Sequence, residues 1–165
     1  MSCVLTLALD DASQARFEDE RQRYFPAALN RIPAHLSLFH TLHEEDATYA
    51  ALDGATREQR TFPMHVTELR SMGKGVAYFL QSPEAKALHR RLSEAFDEQL
   101  SAQDRQGFRP HVVVQNKVTP DEAKRTLMLL QAGFRAFSVS AVGLDLWRYL
   151  GGPWLHLRRF KFPTS

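Results

Sequence analysis

AHLSLFH at residues 34–40 and RPHVVVQNKVTPDEA at residues 109–123 decide the fold. Each stretch sets a histidine at the head of an apolar, strand-forming run, His35 in the first and His111 in the second. Alternate side chains of a strand share a face. His35, Ser37 and Phe39 therefore fall on one face of the first strand, and Leu36, Leu38 and His40 on the other. In the second strand His111, Val113 and Gln115 share a face, with Val112 and Val114 opposite. The leucine and valine faces are expected to lie under helices. Each histidine is then left on an open face, with a small side chain two residues further on.

Outward from these strands the elements repeat. Thr119-Pro120-Asp121-Glu122 is a capping box with proline at the first helical position, and Gly133 stops the helix it launches. Ser82-Pro83 opens another helix, whose apolar positions carry it to about Leu100. Residues 12–25 and 44–53 read as helices, the second ending near Gly54. Residues 4–9, 62–69, 76–81, 111–118, 136–149 and 154–162 read as strands, the last two joined at Gly151-Gly152-Pro153. The order strand, helix, histidine strand, helix, hairpin occurs twice, with strand 76–81 shared. This predicts a duplicated α+β fold: one bilobal domain over residues 1–165, its lobes meeting near 76–82. Two small antiparallel sheets should face a central cleft, with helices outside.

Composition narrows the function classes. Twenty-one Lys and Arg against nineteen Asp and Glu give a net charge of +2, too little to coat duplex nucleic acid by charge alone. A single cysteine, Cys3, forbids an internal disulfide and every multi-cysteine zinc site. No apolar run approaches the roughly 20 residues of a membrane helix, and the short VLTLAL at 4–9 meets Asp10-Asp11 directly. The expectation is a cytoplasmic monomer with no signal peptide and no membrane association.

Two imidazoles across a cleft suit one chemistry. With an ordinary pKa near 6.5, one can be neutral and one protonated near neutral pH. The neutral ring takes a proton from water or a hydroxyl, and the protonated ring gives one to the leaving oxygen. A phosphodiester, above all a strained cyclic one, needs those two transfers on opposite sides of phosphorus. A hydroxyl beside each histidine would hold the non-bridging oxygens. No metal or other cofactor is called for.

HLSL at 35–38 and HVVV at 111–114 resemble the paired His-x-Ser/Thr-x motifs of the two-histidine phosphoesterase superfamily. The closer likeness is to its bacterial 2′-5′ RNA ligase-like branch, through RPHVVVQNKVTPDEA and the terminal LWRYLGGPWLHLRRFKF. The resemblance implies a bilobal fold, His35 and His111 as the acid/base pair, and Ser37 as a phosphate ligand. It implies a nucleotide or RNA terminus as partner, with a 2′,3′-cyclic phosphate or a 2′-5′ linkage. Position 113 departs from the motif: valine keeps the shape of threonine and loses its hydrogen-bond donor. A catalytically weakened binder of nucleotide ends therefore stays open as an alternative, as does a phosphodiesterase for a small cyclic metabolite.

Phe39, on the open face, is a candidate for stacking on a base. Tyr78 and Gln115 are candidates for the cleft wall, and Arg109 and Lys117 for contacts with phosphate around the second histidine strand. A metal site of His35, His40 and His43 is disfavoured, because alternation puts His40 on the opposite face from His35. His65, His89 and His156 read as surface or half-buried structural residues.

Overall fold

The computed structural model describes residues 2–164. The first half of the chain forms β1 (Ser2–Leu9), α1 (Asp11–Tyr24), β2 (Leu36–His43), α2 (Asp46–Glu58) and β3 (Phe62–Ser71). The second forms β4 (Val76–Gln81), α3 (Pro83–Ala95), β5 (His111–Gln115), α4 (Pro120–Ala132), β6 (Phe137–Tyr149) and β7 (Trp154–Lys161). The helix starts follow their caps. The Ser82 hydroxyl accepts from the Ala85 N–H at 3.1 Å and the Thr119 hydroxyl from the Glu122 N–H at 3.2 Å.

Two helices end elsewhere than expected. α2 runs through Gly54 to Glu58, because buried Leu52 and Thr56 hold it on the sheet and offset the roughly 1 kcal/mol that a helical glycine costs. α3 stops at Ala95 instead of reaching Leu100. Phe96 turns into the core there, and a short 3-10 turn follows at Asp97–Gln99.

The fold is α+β. Its strands make one antiparallel sheet in the order β2-β1-β6-β3-β4-β5, with β7 also paired to β6. The order reads the same from either end when β1 is matched with β4, β2 with β5, and β3 with β6. The duplication is therefore present, with two differences from the expected form. The strand shared between halves is not 76–81: each half gives its third strand to the other, β6 pairing β1 and β3 pairing β4. And one sheet stands in place of two, because Phe62–Val66 of β3 pairs with 137–141 of β6 and joins the halves. Beyond Ala141 the same edge of β6 is taken over by β7. Phe17, Leu52, Leu88 and Leu92, with half-buried Leu127 of α4, bury the helices against Leu5, Leu36, Met64, Val66, Val112 and Leu144. Each large apolar side chain so buried contributes about 1.5–3 kcal/mol.

Both histidine strands share one irregularity, and β2 has a second between Phe39 and Leu42. Thr6 pairs with Ser37 but Leu5 with Phe39, so Leu38 is an extra residue. Ala77 pairs with Val113 but Val76 with Gln115, so Val114 is an extra residue. An inserted residue reverses the alternation beyond it. Phe39 and Gln115, both expected on the open face, are therefore turned into the core and buried. Beside the second bulge the chain passes so close that a Cβ on Gly75 would lie 1.9 Å from the Gln115 carbonyl oxygen, which only glycine permits. Strand β5 ends at Gln115, short of the expected residue 118, and Lys117 follows it in left-handed backbone (φ 64°).

Candidate functional site

The end strands of the sheet, β2 and β5, line one cleft of ≈ 280 Å³. Its walls are His35, Ser37, Leu38 and His40 from β2 and its lead-in, and Arg109, His111 and Val113 from β5 and its lead-in. His89 of α3, with Gln103, Asp104 and residues 106–108 of the α3–β5 loop, closes one side. Arg21 of α1 clasps β5 to the connection between α1 and β2. Its guanidinium, buried within the protein, donates to the Val113 carbonyl at 3.1 Å and to Asn30 Oδ1 at 2.7 Å, and lies 4.1 Å over the Phe25 ring.

The two histidines are held alike. His35 Nδ1 lies 2.9 Å from the Pro33 carbonyl oxygen, and His111 Nδ1 lies 2.7 Å from that of Arg109, each two residues back. A carbonyl only accepts, so Nδ1 carries the proton and Nε2 is left as the ring atom for chemistry in the cleft. Each ring also rests on an aromatic neighbour, His35 on Trp154 with centroids 4.6 Å apart and His111 on Phe79 at 5.2 Å. Burial pushes the His35 imidazole down to about 4, helped by the nearby charge of Arg21 and by His111 and His40.

Of the residues singled out in the sequence, His35, Ser37, Arg109, His111 and Val113 come together in this cleft. Four others do not. Phe39 is in the core behind the first bulge, stacked on His89 at 4.7 Å. Gln115 is in the core behind the second, its Nε2 donating to Thr126 Oγ1 at 2.8 Å. Tyr78 is buried among Phe17, Phe134 and Phe137, and its hydroxyl donates to Glu20; burial and that carboxylate hold the phenol above its ordinary value. Lys117 is exposed past the end of β5.

Two histidines read as structural or opposed also line the cleft. The first bulge turns His40 to the His35 side, where its Nδ1 lies 2.9 Å from Asp104 Oδ1. His89 lies sandwiched between Phe39 and Phe108, and burial lowers its pKa. Asp104 has no sequence signal, sitting in an irregular loop 64 positions from His40. Among the described residues no group of three or more His, Cys, Asp and Glu side chains is placed to hold a metal ion, and no helix is long and apolar enough to cross a membrane.

Known proteins share this arrangement of strands. TT0787 of Thermus thermophilus superposes with a TM-score of 0.71 over 100% of both chains at 14% identity. A crystallised phosphoesterase gives 0.63 over 99% of this chain and 98% of its own at 16% identity. E. coli LigT complexed with 3′-AMP gives 0.59 over 98% and 97% at 16% identity. At these identities the likeness is one of fold. No curated protein matches the sequence. The model of the 2′-5′ RNA ligase superfamily matches residues 9–153, and the chain belongs to that superfamily.

Proposed function

We propose that the protein is a phosphoesterase that opens 2′,3′-cyclic phosphates, or acts on 2′-5′ linkages, at nucleotide or RNA ends, with His35 and His111 as a metal-independent acid/base pair. The observation that carries this reading is the matched pair of imidazoles, each anchored through Nδ1 with Nε2 free, in one cleft. Membership of the superfamily supports a related activity. Solved LigT structures with 3′-AMP and with ATP support a nucleotide as ligand.

For a cyclic diester, water attacks phosphorus and its proton passes to Nε2 of the base. The bond from phosphorus to one ribose oxygen breaks, and that oxygen takes the proton from Nε2–H of the acid. The product is a monoester. His35, neutral at pH 7 because burial depresses it, is the base, and His111 is the acid. Ser37 donates to a non-bridging oxygen from the β2 side. Val113 leaves the matching β5 position without a donor, and Arg109, which lines the cleft beside it, offers a cation there.

A panel of 2′,3′-cyclic nucleotides and 2′-5′ oligonucleotides, assayed in EDTA with both histidine variants as blanks, tests this reading. Turnover that survives EDTA and is lost in the variants is expected. Turnover abolished by EDTA, or retained in either variant, contradicts it. Binding without turnover would point instead to a cleft that holds nucleotide ends without opening them.

A further inference from the structure

The cleft is matched at the reacting histidines and unmatched beyond them. On β5 the bulge after Val113 is followed by the end of the strand. On β2 the bulge after Ser37 is followed by His40, whose ring lines the same cleft. His40 is firmly built in. Asp104, buried to 1% of its side chain, accepts from the His40 backbone N–H at 3.0 and 3.1 Å, from His40 Nδ1–H at 2.9 Å and from the Thr41 hydroxyl at 3.3 Å. The Ser101 hydroxyl accepts from the Asp104 N–H at 3.1 Å, so the loop that carries the acid is itself tied down. With Nδ1 engaged, Nε2 is the polar atom His40 has left for a ligand.

This is more organisation than a structural histidine on an edge strand needs. Asp104 is the only acidic side chain lining the cleft among the described residues, and its oxygens are already directed at β2. The remaining polar lining, which includes His35, Ser37, His89, Arg109 and His111, consists of cations or neutral donors, which suits an anion with more than one phosphate. His40 follows Ser37 by three residues including one bulge residue. At about 3.3 Å of rise per residue this is roughly 7–10 Å. The 3′ and 5′ phosphates of one nucleotide are separated by a span of the same order.

We propose that His40, held by Asp104, binds a second phosphate one nucleotide unit from the reacting one, so that the substrate is a nucleotide end carrying a 5′-phosphate or phosphodiester. The inference rests on the cyclic-phosphate reading and deepens it. His40 is a specificity residue and Asp104 a positioning residue. Neither takes a proton in the reaction.

The test is equilibrium titration of the protein with adenosine 3′-monophosphate and adenosine 3′,5′-bisphosphate, which differ by the phosphate in question. The wild type is expected to bind the bisphosphate about tenfold more tightly, the scale of one charge-assisted contact. His40→Gln and Asp104→Asn should each bring that ratio close to one, with the Tm of each variant recorded alongside. A purely structural role would weaken both ligands together and leave the ratio intact. Equal affinities in the wild type, a ratio that survives His40→Gln, or no binding of either ligand overturns the inference. A protein inert on cyclic phosphates that keeps the binding ratio would refute the proposed activity alone. Turnover with equal affinities would refute the second phosphate alone.

Discussion

β2 and β5 occupy equivalent places at the two ends of the sheet and differ in how they finish the same device. Each presents a histidine with Nδ1 on the carbonyl two residues back, a second cleft residue two positions on, and then a bulge. Only β2 has a hydroxyl at the second position, Ser37 against Val113, and only β2 continues past its bulge with another cleft residue, His40. β5 instead receives its support from outside, through the Arg21 guanidinium on the Val113 carbonyl. The lesson is that backbone geometry preserves the symmetry of a duplicated site while side chains divide the labour. On the proposed function, the proton chemistry stays paired and phosphate recognition is weighted to one side.

The largest effect should come from breaking the pair itself. His35→Ala and His111→Ala are each expected to lower turnover of a cyclic phosphate by about 10²–10⁴-fold, with the circular dichroism spectrum unchanged. Full activity in either variant would mean that the two strands are not equivalent in chemistry.

The hydroxyl difference comes next. Ser37→Ala should cost about 10²-fold in kcat, and Val113→Thr should raise kcat by up to a similar factor, because it restores the missing donor. Equal or lower turnover in folded Val113→Thr would remove the missing donor as the weakness of β5.

The pH response reports on His35. If His35 is the base, kcat/KM should fall on the acid side near pH 4, well below the ordinary 6.5. Stability follows the same ring. Its folded value lies below its unfolded one, so between about 4 and 6.5 the unfolded chain binds the extra proton. Stability is therefore full above 6.5 and falls as pH drops through this window. His35→Ala should flatten that part of the stability curve, as measured by urea unfolding at each pH.

The smallest expected effect is at the clasp. Arg21→Met leaves the Val113 carbonyl and Asn30 without their partner, costing about 1–3 kcal/mol. This should appear as a drop in Tm of about 2–4 °C per kcal/mol. Losing that charge should also move the acid limb upward, since Arg21 is one of the groups that hold His35 down.

Much of this fold is legible in the sequence because its signals are local. Ser82-Pro83 and Thr119-Pro120 mark their helices by capping chemistry alone, and the two histidine strands announce themselves by apolar alternation. The duplication follows from element order. What alternation cannot show is a place where it breaks. The extra residues Leu38 and Val114 have ordinary strand side chains, and the bulges they create depend on pairing with β1 and β4. Phe39 and Gln115 are misplaced for that one reason, and His40 is placed on the wrong face for it. Arg21 and Asp104 act on partners 92 and 64 positions away, a separation that no spacing rule reaches. The exchange of β3 and β6 between halves is hidden in the same way, because element order is identical with or without it.

The most direct test of the paired site is ¹⁵N NMR of the histidine rings during titration with inorganic phosphate. The expected result is that Nδ1 carries a proton on both His35 and His111 in the free protein. Their Nε2 resonances should then shift together and saturate with a single phosphate. Response of only one ring, or saturation at separate phosphate concentrations, would contradict a single phosphate held between the two strands.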